Sequence, residues 1–214
     1  DILSVMDKWL LSKLNTLVKT VDTNLGNYKI TESARALQEF VDDLSNWYVR
    51  RSRERFWAKD MPQDKINAYM TLYHTLVTLC KTAAPMVPFM TEDIYQNLVV
   101  KIDKNAPESI HLCDFPVCEE TQIDKDLEKN MEEVVDIVVL GRACRNTANI
   151  KNRQPIGNMY VKVDRENSEF TELSDFFKAI IEEELNVKRV NFTDDVRSFT
   201  SYSFKPQLRT LGKR

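Results

Sequence analysis

Four glycines in 214 residues are too few to build a glycine-rich phosphate loop and still serve the ordinary turns of a chain this long. Nucleotide chemistry of that kind is excluded from these residues. Proline is nearly as sparse, at seven, which argues against a low-complexity or loop-dominated architecture. The only histidines are His74 and His111, and neither stands in a nucleophile or metal motif. The four cysteines (Cys80, Cys113, Cys118, Cys144) are scattered, and Cys113 with Cys118 is poorly spaced for half a metal site. Without a secretory leader, that usage points to reduced thiols in a cytoplasmic protein. No apolar run approaches the roughly 20 residues that span a bilayer, so no membrane partner is expected. Carboxylates such as Asp42 and Asp43, or Glu182, Glu183 and Glu184, lack an acid–base partner in their pattern and read as solvated helix faces. No catalytic residue, cofactor or metal is assigned to the chain.

The positive signal is local. With 43% hydrophobic residues the chain can bury a sizeable core, and its net charge is only -3. Within that acidic background, Asn46 to Lys59 gathers Arg50, Arg51, Arg53, Arg55 and Lys59 against the single acid Glu54, a formal charge of +4. Trp47, Tyr48, Phe56 and Trp57 are interleaved with these cations. Arginine offers a planar fork for phosphates and base edges, and aromatic faces stack unpaired bases. This combination suits single-stranded or looped RNA. The alternative is a solvated basic helix face over core aromatics.

Apolar spacing predicts a mostly α chain. A first amphipathic helix runs from Ile2 to about Leu25, and a second begins with Thr31 as N-cap and persists to Trp57, about 40 Å at ~1.5 Å per residue. Leu37, Val41, Leu44 and Tyr48 form its core stripe, which continues into Arg51 and Arg55. On this register Trp47, Val49 and Phe56 face the core and Trp57 is exposed. Asp64 caps a third helix with Ile66, Tyr69, Met70, Tyr73, Leu76, Val77 and Cys80 inside, ended by Pro85 and Pro88. A fourth opens at Thr91-Glu92-Asp93. These four make a helical bundle over residues 1–101. Residues 102–123, with Pro107, Pro116 and a strand-like Ser109 to Phe115, form a connector. Residues 124–214 comprise a long helix from Asp124 to Ile150 and a small mixed α/β subdomain. Its elements are a strand from Met159 to Val163, a helix from Ser168 to Leu185, a strand from Val187 to Thr193 and a further strand from Ser198 to Phe204. A second basic cluster, Arg142, Arg145, Lys151 and Arg153, lies in a stretch without an acid from Gly141 to Val163.

A family resemblance covers essentially the whole chain. Phe40-Val41-Asp42-Asp43-Leu44-Ser45-Asn46-Trp47-Tyr48-Val49-Arg50-Arg51-Ser52-Arg53-Glu54-Arg55-Phe56-Trp57 resembles the anticodon-binding region of isoleucyl-tRNA synthetases. Three further matches follow in order: Ala84 to Glu92 with Ile94-Tyr95, Asn149 to Ile156, and Lys205-Pro206 with Leu211-Gly212. The latter two are similar to the eukaryote-like branch, which also occurs in some bacteria. Valyl relatives tend to carry an acid where this helix has Arg50-Arg51. The resemblance implies a parent enzyme that joins isoleucine to its tRNA using ATP and Mg, with catalytic and editing domains preceding Asp1 and this chain as the tRNA-reading part. The isoleucine tRNA and the catalytic domain of the same chain are the implied partners. Trp57 corresponds to a tryptophan that reads the anticodon in methionyl relatives, although Phe56 stands where those enzymes have proline. Arg50, Arg51, Arg53, Arg55 and Lys59 would then hold the anticodon stem-loop, with Trp57 as a stacking face. Arg142, Arg145, Lys151 and Arg153 would make a second RNA contact or dock on the catalytic body. A helical protein-interaction module is the rival reading.

Overall fold

A computed structural model of the chain describes residues 3–163, 173–195 and 197. It is mostly α-helical and forms two compact units, Asp1–Lys129 and Asn130–Arg214.

In the first unit, α1 (Val5–Gly26) starts at a capping box: the Ser4 side chain accepts from the Asp7 N–H while the Asp7 carboxylate takes the Ser4 N–H. Trp9, Leu10, Leu14, Leu17, Val18 and Val21 are buried along one face, as the 3–4 spacing requires. α2 (Ile30–Asp43) begins one residue before Thr31 and has no side-chain cap, so Thr31 is not its N-cap. Phe40 takes the core position expected for Val41, which is exposed. α2 runs into a π-helical turn, Leu44–Val49, then a non-helical corner, then the short α3 (Arg53–Trp57). The single long helix of the sequence reading is therefore divided. A π turn closes its hydrogen bonds one residue later than an α turn, here from the Arg50 N–H to Ser45 O at 3.2 Å, and it resets the register of everything that follows.

α4 (Gln63–Ala83) differs more sharply from expectation. Its buried face is Asn67, Ala68, Thr71, Thr75, Leu79, Cys80, Thr82 and Ala83, whereas Tyr69, Met70 and Tyr73 are exposed. Small side chains let a helix approach its neighbours closely, and that face wins over the bulkier one. Pro88 does not end a helix but opens α5 (Pro88–Tyr95), where its missing N–H costs nothing; a second π turn, Gln96–Val100, extends it. The expected strand at Ser109–Phe115 is instead a 3₁₀ turn, Ile110–Leu112, pinned to α5 by Glu92, whose carboxylate accepts from Ser109 Oγ at 2.9 Å and Ile110 N at 2.8 Å. Further on, Ser12 of α1 accepts the Asp124 N–H at 2.8 Å and donates to Glu128.

The boundary between the units falls inside α6 (Lys125–Thr147). In the second unit Met131, Val134 and Val138 of α6 are buried, as are Phe177, Ile180, Ile181 and Leu185 of α7 (Asp175–Leu185). A Cβ at Gly141 would fall on the Leu185 side chain, so glycine is what lets these helices meet. β1 (Met159–Lys162) and β2 (Val190–Thr193) pair in parallel, Met159 opposite Val190, with α7 as the crossover. The further strand expected at Ser198–Phe204 lies outside the described residues.

Candidate nucleic-acid interface

The segment from Leu44 to Lys59 sorts its side chains by the reset register. Leu44, Trp47, Tyr48 and Ser52 point inward and are buried, while Val49 and Phe56 are half-buried. Phe56 leans on Tyr69 of α4, with ring centroids 5.0 Å apart. Arg50, Arg53, Trp57 and Lys59 are exposed; Trp57 leaves 77% of its surface to solvent. Arg51 is half-buried. Arg50 is partly ordered from behind, donating from Nε to Asn46 O at 2.9 Å and lying 6.0 Å from the Trp47 ring centroid. Ala58 turns extended and stops α3, and Lys65 of α4 donates to its carbonyl at 2.8 Å. The indole of Trp57 is thus held out on a five-residue helix fixed at both ends.

Arg55 has a different place. Its guanidinium donates to both Asp7 oxygens, at 2.9 and 2.7 Å, and to both Asp64 oxygens, at 2.9 and 2.8 Å. Asp7 has no exposed surface and also accepts from the Tyr48 hydroxyl at 2.6 Å. Burial by itself would push the Asp7 carboxyl up; hydrogen bonds from Arg55, Tyr48 and Ser4 outweigh it and hold the carboxyl below the usual aspartate range. Burial would lower the Arg55 value, and its bonds to Asp7 and Asp64 raise it instead. Tyr48 is pushed well up by burial and by its bond to Asp7. The first turns of α1 and α4 are in this way tied to α3. Asp64, expected as the α4 N-cap, lies one residue inside the helix and serves as an anchor for Arg55, with Pro62 at the cap position. In this geometry Arg55 supports α3 from within, its fork filled by carboxylates, unlike the exposed Arg50, Arg53 and Lys59.

The second cluster divides in the same manner. Arg142 pairs with the largely buried Glu184 at 2.7 Å. Arg145 is 4% exposed and, among the described residues, donates only to carbonyls: Lys151 O at 2.9 Å, Gln154 O at 3.0 Å, Leu185 O at 2.6 Å and Asn186 O at 3.2 Å. A side chain enclosed in this way is not available to a partner molecule. Lys151 and Arg153 are exposed on the turn that Arg145 holds.

The residues that sequence reasoning missed are Asp7, Tyr48 and Asp64 as the support of α3, and Tyr69 and Met61 as exposed apolar neighbours of the Trp57 segment. An available signal was Asp7 itself, an acid in step with Leu3, Leu10 and Leu14 on an apolar stripe. Among the described residues no cluster of histidine, cysteine, aspartate and glutamate could hold a metal ion, and no helix is long and apolar enough to cross a membrane.

Comparison with known proteins gives this geometry a context. A family model described as the anticodon-binding domain of tRNA ligase matches residues 7–162. The isoleucine–tRNA ligase of Clostridium kluyveri is 51% identical over 211 residues, covering 99% of this chain and 20% of the relative. That of Clostridium novyi is 53% identical over 210 residues, covering 98% and 20%, and that of Chlamydia pneumoniae is 43% identical over 209 residues, again covering 98% and 20%. The chain spans about a fifth of the length of these relatives. The match runs from the Asp7 anchor through the Trp57 segment to β1, and the chain belongs to the anticodon-binding domain family of tRNA ligases.

Proposed function

We propose that this chain holds the anticodon stem-loop of an isoleucine-accepting tRNA, as part of an isoleucine–tRNA ligase acting in the cytoplasm. The observation that carries the reading is the exposure of Trp57 on a short helix flanked by exposed Arg50, Arg53 and Lys59. Cations engage phosphates and fix register, and the indole stacks on an unpaired base. Half-buried Arg51 contributes from the edge of the same surface. Arg55 acts behind it, as the residue that positions α3. The name of the relatives favours isoleucine over valine as the amino acid. Attachment of isoleucine with ATP and Mg is chemistry of the parent enzyme, whose catalytic domain is the intramolecular partner, and no step of it is assigned to residues of this chain. Membership of the eukaryote-like branch is supported by the Asn149 to Ile156 and Lys205 to Gly212 motifs alone, the relatives named above being bacterial.

The test is a gel shift of the full-length protein with an isoleucine tRNA anticodon stem-loop and with the same stem carrying a scrambled loop. Preference for the native loop is expected. Trp57→Ala should remove about 1–3 kcal/mol of that binding while isoleucine activation without tRNA persists. A folded Trp57→Ala protein with undiminished affinity and loop preference would sink the stacking role.

A further inference from the structure

We infer that the second unit carries its own phosphate-binding surface, made of the turns 149–155 and 186–189, with Lys151, Arg153, Lys188 and Arg189 as contacts and Arg145 as the residue that positions them. It rests on the RNA-binding reading above and extends it to a site that the anticodon-facing residues do not include.

The two turns are neighbours. Asn186 donates from its side chain to Asn152 O at 3.1 Å, Ile156 N donates to Asn186 O at 3.1 Å, and Lys188 N donates to Ile156 O at 2.9 Å. Each turn contains an asparagine with positive φ, Asn149 at 53° and Asn186 at 49°, the left-handed geometry that asparagine tolerates best among residues with a side chain. Arg145 lies beneath both, bonded to one turn through Lys151 O and Gln154 O and to the other through Leu185 O and Asn186 O. The turns are therefore ordered in advance, so a ligand need not supply that entropy.

What they present is cationic, with no neutralising carboxylate among the described residues. Lys151, Arg153, Lys188 and Arg189 are all exposed, and none forms an ion pair among the described residues. The backbone N–H groups of Lys151, Asn152 and Arg153 have no acceptor among those residues either, and successive free amides in a turn favour an anion. Arg145 adds a buried positive charge that no described carboxylate contacts, unlike Arg142, which Glu184 neutralises. Four exposed cations, free amides and an uncompensated guanidinium in one place match a polyanion with spaced phosphates. Asn152 and Gln154 beside them supply donors for sugar or base edges.

Filter binding of the full-length protein to an isoleucine-accepting tRNA transcript across a salt series tests this. Lys151→Ala with Arg153→Ala, and separately Lys188→Ala with Arg189→Ala, should each weaken binding and flatten the slope of log affinity against log salt by about one for every phosphate no longer engaged. Arg145→Lys keeps the charge but cannot span four carbonyls; it should weaken binding in the parent protein and do nothing further in a background that carries all four alanines, at Lys151, Arg153, Lys188 and Arg189. Additive weakening would show that Arg145 does not act through those cations and would overturn its positioning role. An unchanged slope and affinity in folded double variants overturns the surface. So does an unchanged slope accompanied by a lower melting temperature, which would mean that the turns pack against protein. Arg51→Ala with Arg53→Ala is the reference: if it too leaves RNA binding untouched, the RNA-binding reading itself fails, whereas an effect there with none here removes only the second surface.

Discussion

Arg55 and Arg145 both sit in runs of basic residues, and both are drawn inside, but the first is met by carboxylates and the second by carbonyls. Arg55 closes a knot with the carboxylates of Asp7 and Asp64, which more than offset its charge. Arg145 gathers two turns and keeps its charge uncompensated by any described carboxylate. The difference is one of purpose. A carboxylate partner removes the arginine from the local field, so the surface near Arg55 owes its potential to Arg50, Arg51, Arg53 and Lys59. A carbonyl partner leaves the field in place and uses the fork for shape. The two regions should therefore respond differently to loss of the buried cation and to pH.

The largest effect is expected for Arg55→Ala. Asp7 would remain fully buried with its main counter-charge gone, a loss of about 3–5 kcal/mol when one partner of a buried pair is removed. Hydrogen exchange should speed up in the first turns of α1 and α4 in the full-length protein. The sign of the pH dependence follows from Asp7. Its folded value is depressed, so its contribution is fully present above the ordinary aspartate range and is lost as pH falls through the folded value. In Arg55→Ala, burial dominates and favours protonation, so the deficit of the variant should shrink as the solution is acidified. A deficit constant from neutral to acid pH would remove the knot as an electrostatic device.

Arg145→Met should cost less, about 2–3 kcal/mol, because it leaves acceptors short of donors rather than an unpaired buried charge. Carbonyls do not titrate in this range. The loss should appear as faster exchange around 149–156 and 185–188, with no dependence on acid. An acid-sensitive loss would mean that a carboxylate shares in holding Arg145, and the contrast with Arg55 would fail.

Much of the helical framework was legible in apolar spacing, because buried faces of helices recur every three or four residues regardless of context. The faces of α1 and the exposure of Trp57 followed from it. Two things did not. The π turn at Leu44–Val49 has no compositional mark, and past it Ser52 rather than Arg51 lies on the inner stripe, while Arg55 stays on that stripe and meets Asp7. Nor does bulk reveal the α4 face, where close approach decides: Ala68, Thr71 and Thr75 pack inside while Tyr69 and Tyr73 stay out. The internal arginines were legible in retrospect. Asp7 lies in register with Leu3, Leu10 and Leu14, and Arg145 with Met131, Val134, Val138 and Gly141. A charged residue in step with an apolar stripe is one that has to find its partner indoors.

The smallest effect on stability, and the one that divides inside from outside most cleanly, is expected for Arg53→Ala. Arg53 is two residues from Arg55 on the same short helix, carries the same charge, and is exposed. Its removal should change stability by no more than about 0.5 kcal/mol, since it leaves no buried group unsatisfied. Yet if the exposed cations of this segment hold phosphates, the salt slope of RNA binding should fall by about one. Arg55→Lys supplies the complementary measurement. It keeps a cation but cannot bridge four carboxylate oxygens, so it should lower stability, and any loss of RNA affinity should come with displacement of Trp57, read as altered quenching of indole fluorescence by iodide. Arg53→Ala should leave that quenching unchanged. A variant at Arg53 that unfolds as readily as one at Arg55, or one at Arg55 that flattens the salt slope while Trp57 stays in place, would mean that both arginines face the RNA.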